Sequence, residues 1–426
     1  MLLEYLRHAT LSHGISFIMP RIAMRSKHRQ LISLVLLIGP MIVAGCGNEA
    51  KSSGSLSRDP WGNVEVGAAS TINIGLAASE SDPLLGLEGR EQRRGVELAI
   101  SDFGQINGFP IELVRTDTPC SSAGGATIAS TLIPNQSIVA VIGPSCANAC
   151  VESTPLFDAS HVIAISGACG VEELTQPLSH RDSFVRTMYA DSAEGALAAT
   201  YAYRELGKRR AVILSYSSGD TREFVEAFRA RMVMLGGEVV GESSIEPGQL
   251  DFQGTTRILA SNRPDVIYAP LLPADAAAFV RLKRNSGFDD TTFIGNRYYW
   301  STWFVDQIGG AAKNVFATGP YLTEIQFANL TEKYAQAYDE QPSSAAFAYT
   351  YDAAIILLQA LNRASKTGPD GTLNIGRKAL YDALGQTTGF QGASGSLTCT
   401  NWGDCSFTSI AIGHLENGSW NLVFVP

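Results

Sequence analysis

From residue 71 to residue 319 the chain alternates short β-branched apolar runs with stretches whose apolar positions recur every three or four residues. "INIGLAA" (72–78), "IELVRTD" (111–117), "IVAVIG" (138–143), "VIAIS" (162–166) and "SFVRTM" (183–188) read as strands. The helix predicted over 87–103 turns Val96, Ala99 and Ile100 to one face and Arg90, Arg94 and Glu97 to another. A helix over 191–206 opens a second series, with strands at 210–216, 237–243, 265–270, 291–295 and 314–319 and helices over 220–235, 252–261 and 274–286. Nearly continuous apolar strands separated by amphipathic helices predict parallel sheets covered on both faces.

The last third differs. Two helical stretches, the second over 343–364, lead into a strand-rich tail from Gly389 to Pro426, too small for a third parallel unit. The expected architecture is α/β, with two doubly wound parallel-sheet lobes joined by several chain crossings that form a hinge. The first lobe comprises 64–189 plus about 320–394, and the second 190–319 plus about 395–426. Ligands of open parallel sheets sit outside the carboxyl ends of the strands, beside helix N-termini. The loops to watch are therefore 78–86, 143–149, 166–170, 216–220, 270–275 and 295–300.

The N-terminus sets the compartment. Basic "RSKHR" (25–29) precedes a 14-residue uncharged run at 31–44, shorter than the roughly 20 apolar residues a membrane span needs. Residues 1–45 read as an export signal, with Met24 an alternative start. The signal ends in "VAGC" (43–46), which resembles a bacterial lipobox with Cys46 as the lipidated residue. Residues 46–63 are small, polar and aperiodic, as in a flexible tether. The expected location is the outer face of a bacterial membrane. Past the signal, 27 Lys and Arg stand against 40 Asp and Glu. That surface repels phosphate backbones, so no nucleic-acid partner is expected.

Six cysteines remain, Cys120, Cys146, Cys150, Cys169, Cys399 and Cys405, an even number in a disulfide-permissive setting. Cys399 and Cys405 bracket turn-forming "TNWGD" and suggest a hairpin closed by its own disulfide. For the other four the favoured arrangement is Cys120 with Cys146 and Cys150 with Cys169. Zinc is the rival, but only His161, His180 and His414 follow the signal and no CxxC pair occurs, so no metal or cofactor is expected. Catalytic templates such as G-x-S-x-G, HExxH and Walker A are absent. "GASGS" (392–396) reads as a turn before a strand, and the dispersed carboxylates read as solvated faces.

The ordered series "INIGLAA", "RRGVELAI", "RTDTPC", "VIGPSC", "VIAISGACGVEELT", "SFVRT", "RPDVIYAP", "TTFIGN" and "YTYDAAIILLQAL" resembles the leucine/isoleucine/valine-binding branch of type I periplasmic binding proteins. These are the solute receptors of ABC importers, and the likeness spans essentially the whole chain after the signal. It implies a monomeric solute-binding protein that is not an enzyme, with an ABC permease as partner or, alternatively, a membrane receptor for sensing. It also implies a disulfide between Cys120 and Cys146. The ligand positions it implies are Ser145, Ala147, Asn148, Ala168, Gly170, Asp220, Leu272 and Arg297. Several depart from the family pattern. Ala147 and Gly170 stand where hydroxyls help hold an amino acid's carboxylate. Asp220 and Leu272 stand where tyrosines occur, and Arg297 replaces the acid that holds the ammonium. An arginine there suggests an anionic or carboxylate-bearing solute, unless it pairs with Asp220 or points to solvent. Tyr298, Tyr299 and Trp300 either stack on a ligand ring or pack on neighbours.

Overall fold

A computed structural model describes residues 58–309, 313–322, 324–406 and 410–426. The expected signal, Cys46 and nearly all of the tether lie outside these residues.

The first lobe runs through β1 (Asn63–Val66), β2 (Ile72–Ala78), α1 (Gly86–Phe103), β3 (Ile111–Asp117), α2 (Ser122–Leu132), β4 (Ile138–Ile142), α3 (Ala147–Ala159), β5 (Ala164–Ser166) and β6 (Phe184–Arg186). Five of its strands form a parallel sheet in the order β3-β2-β4-β5-β6. Helices cover both faces, so all five residues of β4 are buried. The connections start tightly. Ser121 caps α2 by accepting from the Gly124 N–H at 3.0 Å.

The second lobe follows with α4 (Asp191–Arg204), β7 (Arg210–Tyr216), α5 (Arg222–Met234), β8 (Glu238–Ile245), α6 (Gln253–Asn262), β9 (Val266–Tyr268), α7 (Pro273–Asn285), β10 (Thr292–Gly295), α8 (Thr302–Ile308) and β11 (Val315–Pro320). Its sheet runs β8-β7-β9-β10-β11 in parallel. Both parallel sheets therefore share one winding order, which reverses direction beside the first strand of each series. A crevice opens at such a point.

The chain then returns. Helices α9 (Glu324–Tyr338), α10 (Ala346–Ala364) and α11 (Arg377–Gly385), with strands β12 (Ser365–Thr367), β13 (Leu373–Gly376), β14 (Phe390–Gly392) and β15 (Gly395–Leu397), belong to the first lobe. Helix α10 crosses α1 closely, because a β-carbon at Gly95 would overlap the Phe347 carbonyl. Strand β16 (Ile410–Glu416) finally adds antiparallel to β11, and β17 (Ser419–Phe424) antiparallel to β16. The chain thus passes between the sheets three times.

Two details differ from expectation. Residues 395–405 stay with the first lobe: β15 pairs with β14, and Cys399 and Cys405 pack on the first core. The return to the second sheet therefore lies beyond Cys405 rather than at 395. The strands flanking the Cys399–Cys405 disulfide also do not pair with each other, so the disulfide closes a loop instead of a hairpin. That loop docks on the sheet edge, where the Arg186 N–H donates to the Gly403 carbonyl and the Cys405 N–H to the Arg186 carbonyl, both at 2.8 Å. The fully buried Arg186 guanidinium donates to Asp404 at 2.6 Å and to the Met188 carbonyl at 2.6 Å. Disulfides also join Cys120 to Cys146 and Cys150 to Cys169, tying α3 to the loops after β3 and β5.

Candidate functional site

The loops after β2, β4 and β5 face those after β7, β9 and β10 across the cleft. At the switch point of the first sheet, Ser145 joins two strand ends. Its Oγ donates to the Ala77 carbonyl at 3.1 Å and accepts from the Ser79 N–H at 3.3 Å. Opposite, Leu272 contacts the hydrophobic cores of both lobes. Its N–H donates to the Tyr216 hydroxyl, which in turn donates to buried Asp275 at 2.6 Å. Asp220 accepts from Ser218 Oγ at 2.7 Å, and burial raises its pKa against the pull of the Asn148 backbone. Ala147, next to Asn148, packs on the first-lobe core.

A second bridge lies deeper. Glu223, in the first turn of α5, accepts from the Glu172 N–H at 2.9 Å, capping the short 3-10 helix at Glu172–Thr175 in the first lobe. Burial pushes this carboxyl up to about 7, against the pull of that N–H, and nearby Asp191 adds to the rise. Ser192 also donates to Glu172.

Residues of both lobes also enclose a cavity of about 50 Å3, lined by Glu88, Gln92, Ala168, Arg297, Tyr298 and Tyr349 among others. Of the positions expected to touch a ligand, the fold brings only Ala168 and Arg297 to this wall. Arg297 is neither paired with Asp220 nor exposed. Its guanidinium lies 2.8 Å from the Asp191 carboxylate and pairs with Glu194. Its backbone N–H also donates to Glu194 at 3.0 Å. Burial opposes the arginine's charge, but the two acids outweigh it and hold the pKa above its ordinary value. Burial raises Glu194 despite Arg297 and Thr318. One guanidinium among two carboxylates has no charge left for an anion. The Asp191 carboxylate also occupies the place a side chain at position 170 would take, which explains Gly170.

The aromatic run divides its work. Tyr299 is fully buried and stacks on Phe304 at 4.5 Å between ring centres. Trp300 stacks on Trp420 at 5.6 Å, and Tyr298 reaches the cavity. The carboxylates are not simply solvated faces, for Glu88, Glu91, Asp191, Glu194, Asp275 and Asp352 are all buried. Sequence reasoning missed Glu88 and Gln92, which lie one helical turn apart at the start of α1, right after the switch strand β2. That position was the available signal. Among the described residues, no group of His, Cys, Asp or Glu is arranged to hold a metal.

The family model for periplasmic binding proteins matches residues 71–403. The chain belongs to the periplasmic binding protein family. This binding protein is 25% identical over 203 residues to an "Amino acid binding protein" of Pseudomonas aeruginosa, a match covering 47% of this chain and 54% of that one. It is 23% identical over 204 residues to the Leu/Ile/Val-binding protein BraC3 of Rhizobium johnstonii, with 47% and 54% covered. The chain spans about half the length of the curated relatives it matches. Its fold is similar to that of the leucine-binding protein LivK from Thermotoga maritima, with a TM-score of 0.74, 23% identity, and 83% of this chain and 98% of that one covered. It is also similar to an R. palustris solute-binding protein crystallised with benzoate, with a TM-score of 0.73, 18% identity, and 83% and 96% covered. The names of these relatives describe periplasmic proteins that bind amino acids or other small solutes. No helix among the described residues is long and apolar enough to cross a membrane.

Proposed function

We propose that this binding protein is a lipid-anchored receptor at the outer face of a bacterial membrane, which closes its two lobes around a small polar solute and passes it unchanged to an ABC permease. The carrying observation is the pair of like-wound sheets whose switch-point loops meet across one cleft, bridged by Glu223 and Leu272. Such bridges exist only while the lobes are together, so a solute between them favours the closed state. The anchor is supported by the apolar run at 31–44 and by "VAGC" ending at Cys46.

The closed cavity leaves little room beside Tyr298 and Tyr349, which suits a compact solute. Arg297, committed to Asp191 and Glu194, argues against the anionic solute that its sequence position suggests. Screening small acids, amides, alcohols, amines and amino acids by thermal shift tests the receptor reading, since a ligand of the native state raises the melting temperature. A true ligand should also shrink the radius of gyration in solution scattering. If no solute moves either quantity, the reading fails. For the anchor, Cys46→Ser should abolish fatty-acid labelling and release the protein from membranes; unchanged labelling would exclude Cys46.

A further inference from the structure

Six acids are buried in the described residues, and five of them are met by donors from elsewhere in the protein. Glu91 accepts from Ser343, and Asp191 and Glu194 meet Arg297. Asp275 accepts from Tyr216, and Asp352 from the Ala393 and Ser394 N–H groups. The sixth, Glu88, is only 7% exposed and lines the cleft cavity. It accepts from its own backbone N–H and has no ion-pair or side-chain donor among the described residues. A carboxylate removed from water without a partner costs several kcal/mol. The fold keeps that cost at the wall of the space where its solute would lie.

Resting on the receptor reading above, we propose that Glu88 is the counter-ion for a cationic solute, a primary amine with a small apolar body. The groups around it fit that assignment. Asp82 and Glu91 face Glu88 from the preceding loop and from its own helix, and both add negative potential. Tyr298 faces it from the opposite lobe, and Arg297 on the same wall is already neutralised. Gln92, one turn further along α1, also lines the cavity, while Ala168, Met188 and Tyr349 supply apolar wall. Ala147 and Gly170 carry no hydroxyl, so no side chain at either position holds a carboxylate on the solute. At about 50 Å3 the closed cavity accepts on the order of a few heavy atoms, enough for an ammonium head and a short alkyl group. The free carboxyl is pushed up to about 7, chiefly by burial. Amine affinity should therefore be highest above pH 7 and fall as acid protonates Glu88, by roughly tenfold or more at pH 5.5.

The test is titration calorimetry of the full chain in detergent with primary alkylamines from ethylamine to hexylamine, each beside its matching alcohol and carboxylate, at pH 8 and pH 5.5. An amine should bind best at pH 8, and Glu88→Gln should weaken it at least tenfold and remove its pH dependence. Glu88→Asp, which keeps the charge, should retain part of the binding and so separates loss of charge from loss of fold. The inference is overturned if carboxylates or alcohols bind in preference, if Glu88→Gln binds the amine as well as the wild type does, or if no amine binds. Carboxylate or alcohol binding accompanied by compaction would sink the Glu88 assignment while leaving the solute receptor intact. No compaction with any solute class would sink both.

Discussion

Replacing Glu88 by Gln should stabilise the ligand-free protein, and only at the alkaline end of its range. The carboxyl moves from an ordinary 4.5 to about 7 because burial favours its neutral form. A carboxyl raised on folding contributes stability that is complete below about pH 4.5 and is lost as the pH climbs through about 7. The gap is worth about 3 kcal/mol at about 1.4 kcal/mol per pH unit. Because the side chain is only 7% exposed, little of this is screened by solvent. Glutamine has nearly the same shape and mimics the neutral acid. Urea unfolding of both proteins should give equal stabilities near pH 4.5 and a variant up to about 3 kcal/mol more stable at pH 8. A difference that does not change with pH, or a variant less stable at pH 8, would refute the placement of an uncompensated carboxylate at this wall. The more stable variant should also be the poorer receptor, since a site built for binding commonly lowers stability.

Removing Arg297 should act in the opposite direction. Arg297→Met leaves Asp191 and Glu194 buried without their cation, and the cost should be about 3–5 kcal/mol; a loss below about 1 kcal/mol in urea melts would mean the trio is not formed. Glu223→Ala removes the acceptor that caps Glu172 from the other lobe, worth about 1.5–3 kcal/mol as a hydrogen bond to a charged group. Its solution-scattering radius should rise and solute affinity should fall at least tenfold, and an unchanged radius would show that the lobes close without this contact. Opening the Cys150–Cys169 loop with a double serine variant should cost about 3 kcal/mol for its 19-residue separation, read by calorimetric melting. Asp352→Ala strands the Ala393 and Ser394 N–H donors and should cost about 1–3 kcal/mol without altering the cleft, so ligand affinity in the folded fraction should be unchanged.

The strands at 72–78 and 210–216 were legible residue for residue, because a strand buried on both faces is apolar along most of its length. β1 was not legible. "NVEV" is four residues long, and its partner β13 lies more than 300 positions away, where no local period can announce it. The site shows the same division. Arg297 was visible as an unusual charge in a cleft loop, but its meaning depended on Asp191 and Glu194 in a helix that begins over a hundred positions earlier. Glu88 looked like an ordinary acid in a helix's first turn, where a negative charge favours the dipole in any solvated helix. Only the packing of Tyr298 and α10 over that turn reveals that water has been excluded. The Cys399–Cys405 loop was identified as a closed unit, yet its docking on Arg186 depends on the edge of a sheet built 200 residues before it.

Because the polypeptide threads from one half to the other three times, no contiguous segment encodes either half. An ancestor could not have acquired one jaw by simple gene fusion, nor can an engineer graft a single jaw onto a different mate by cutting at one place. Diversification in such a molecule must proceed by changing the residues that face inward, one at a time, while the paired frame is inherited whole.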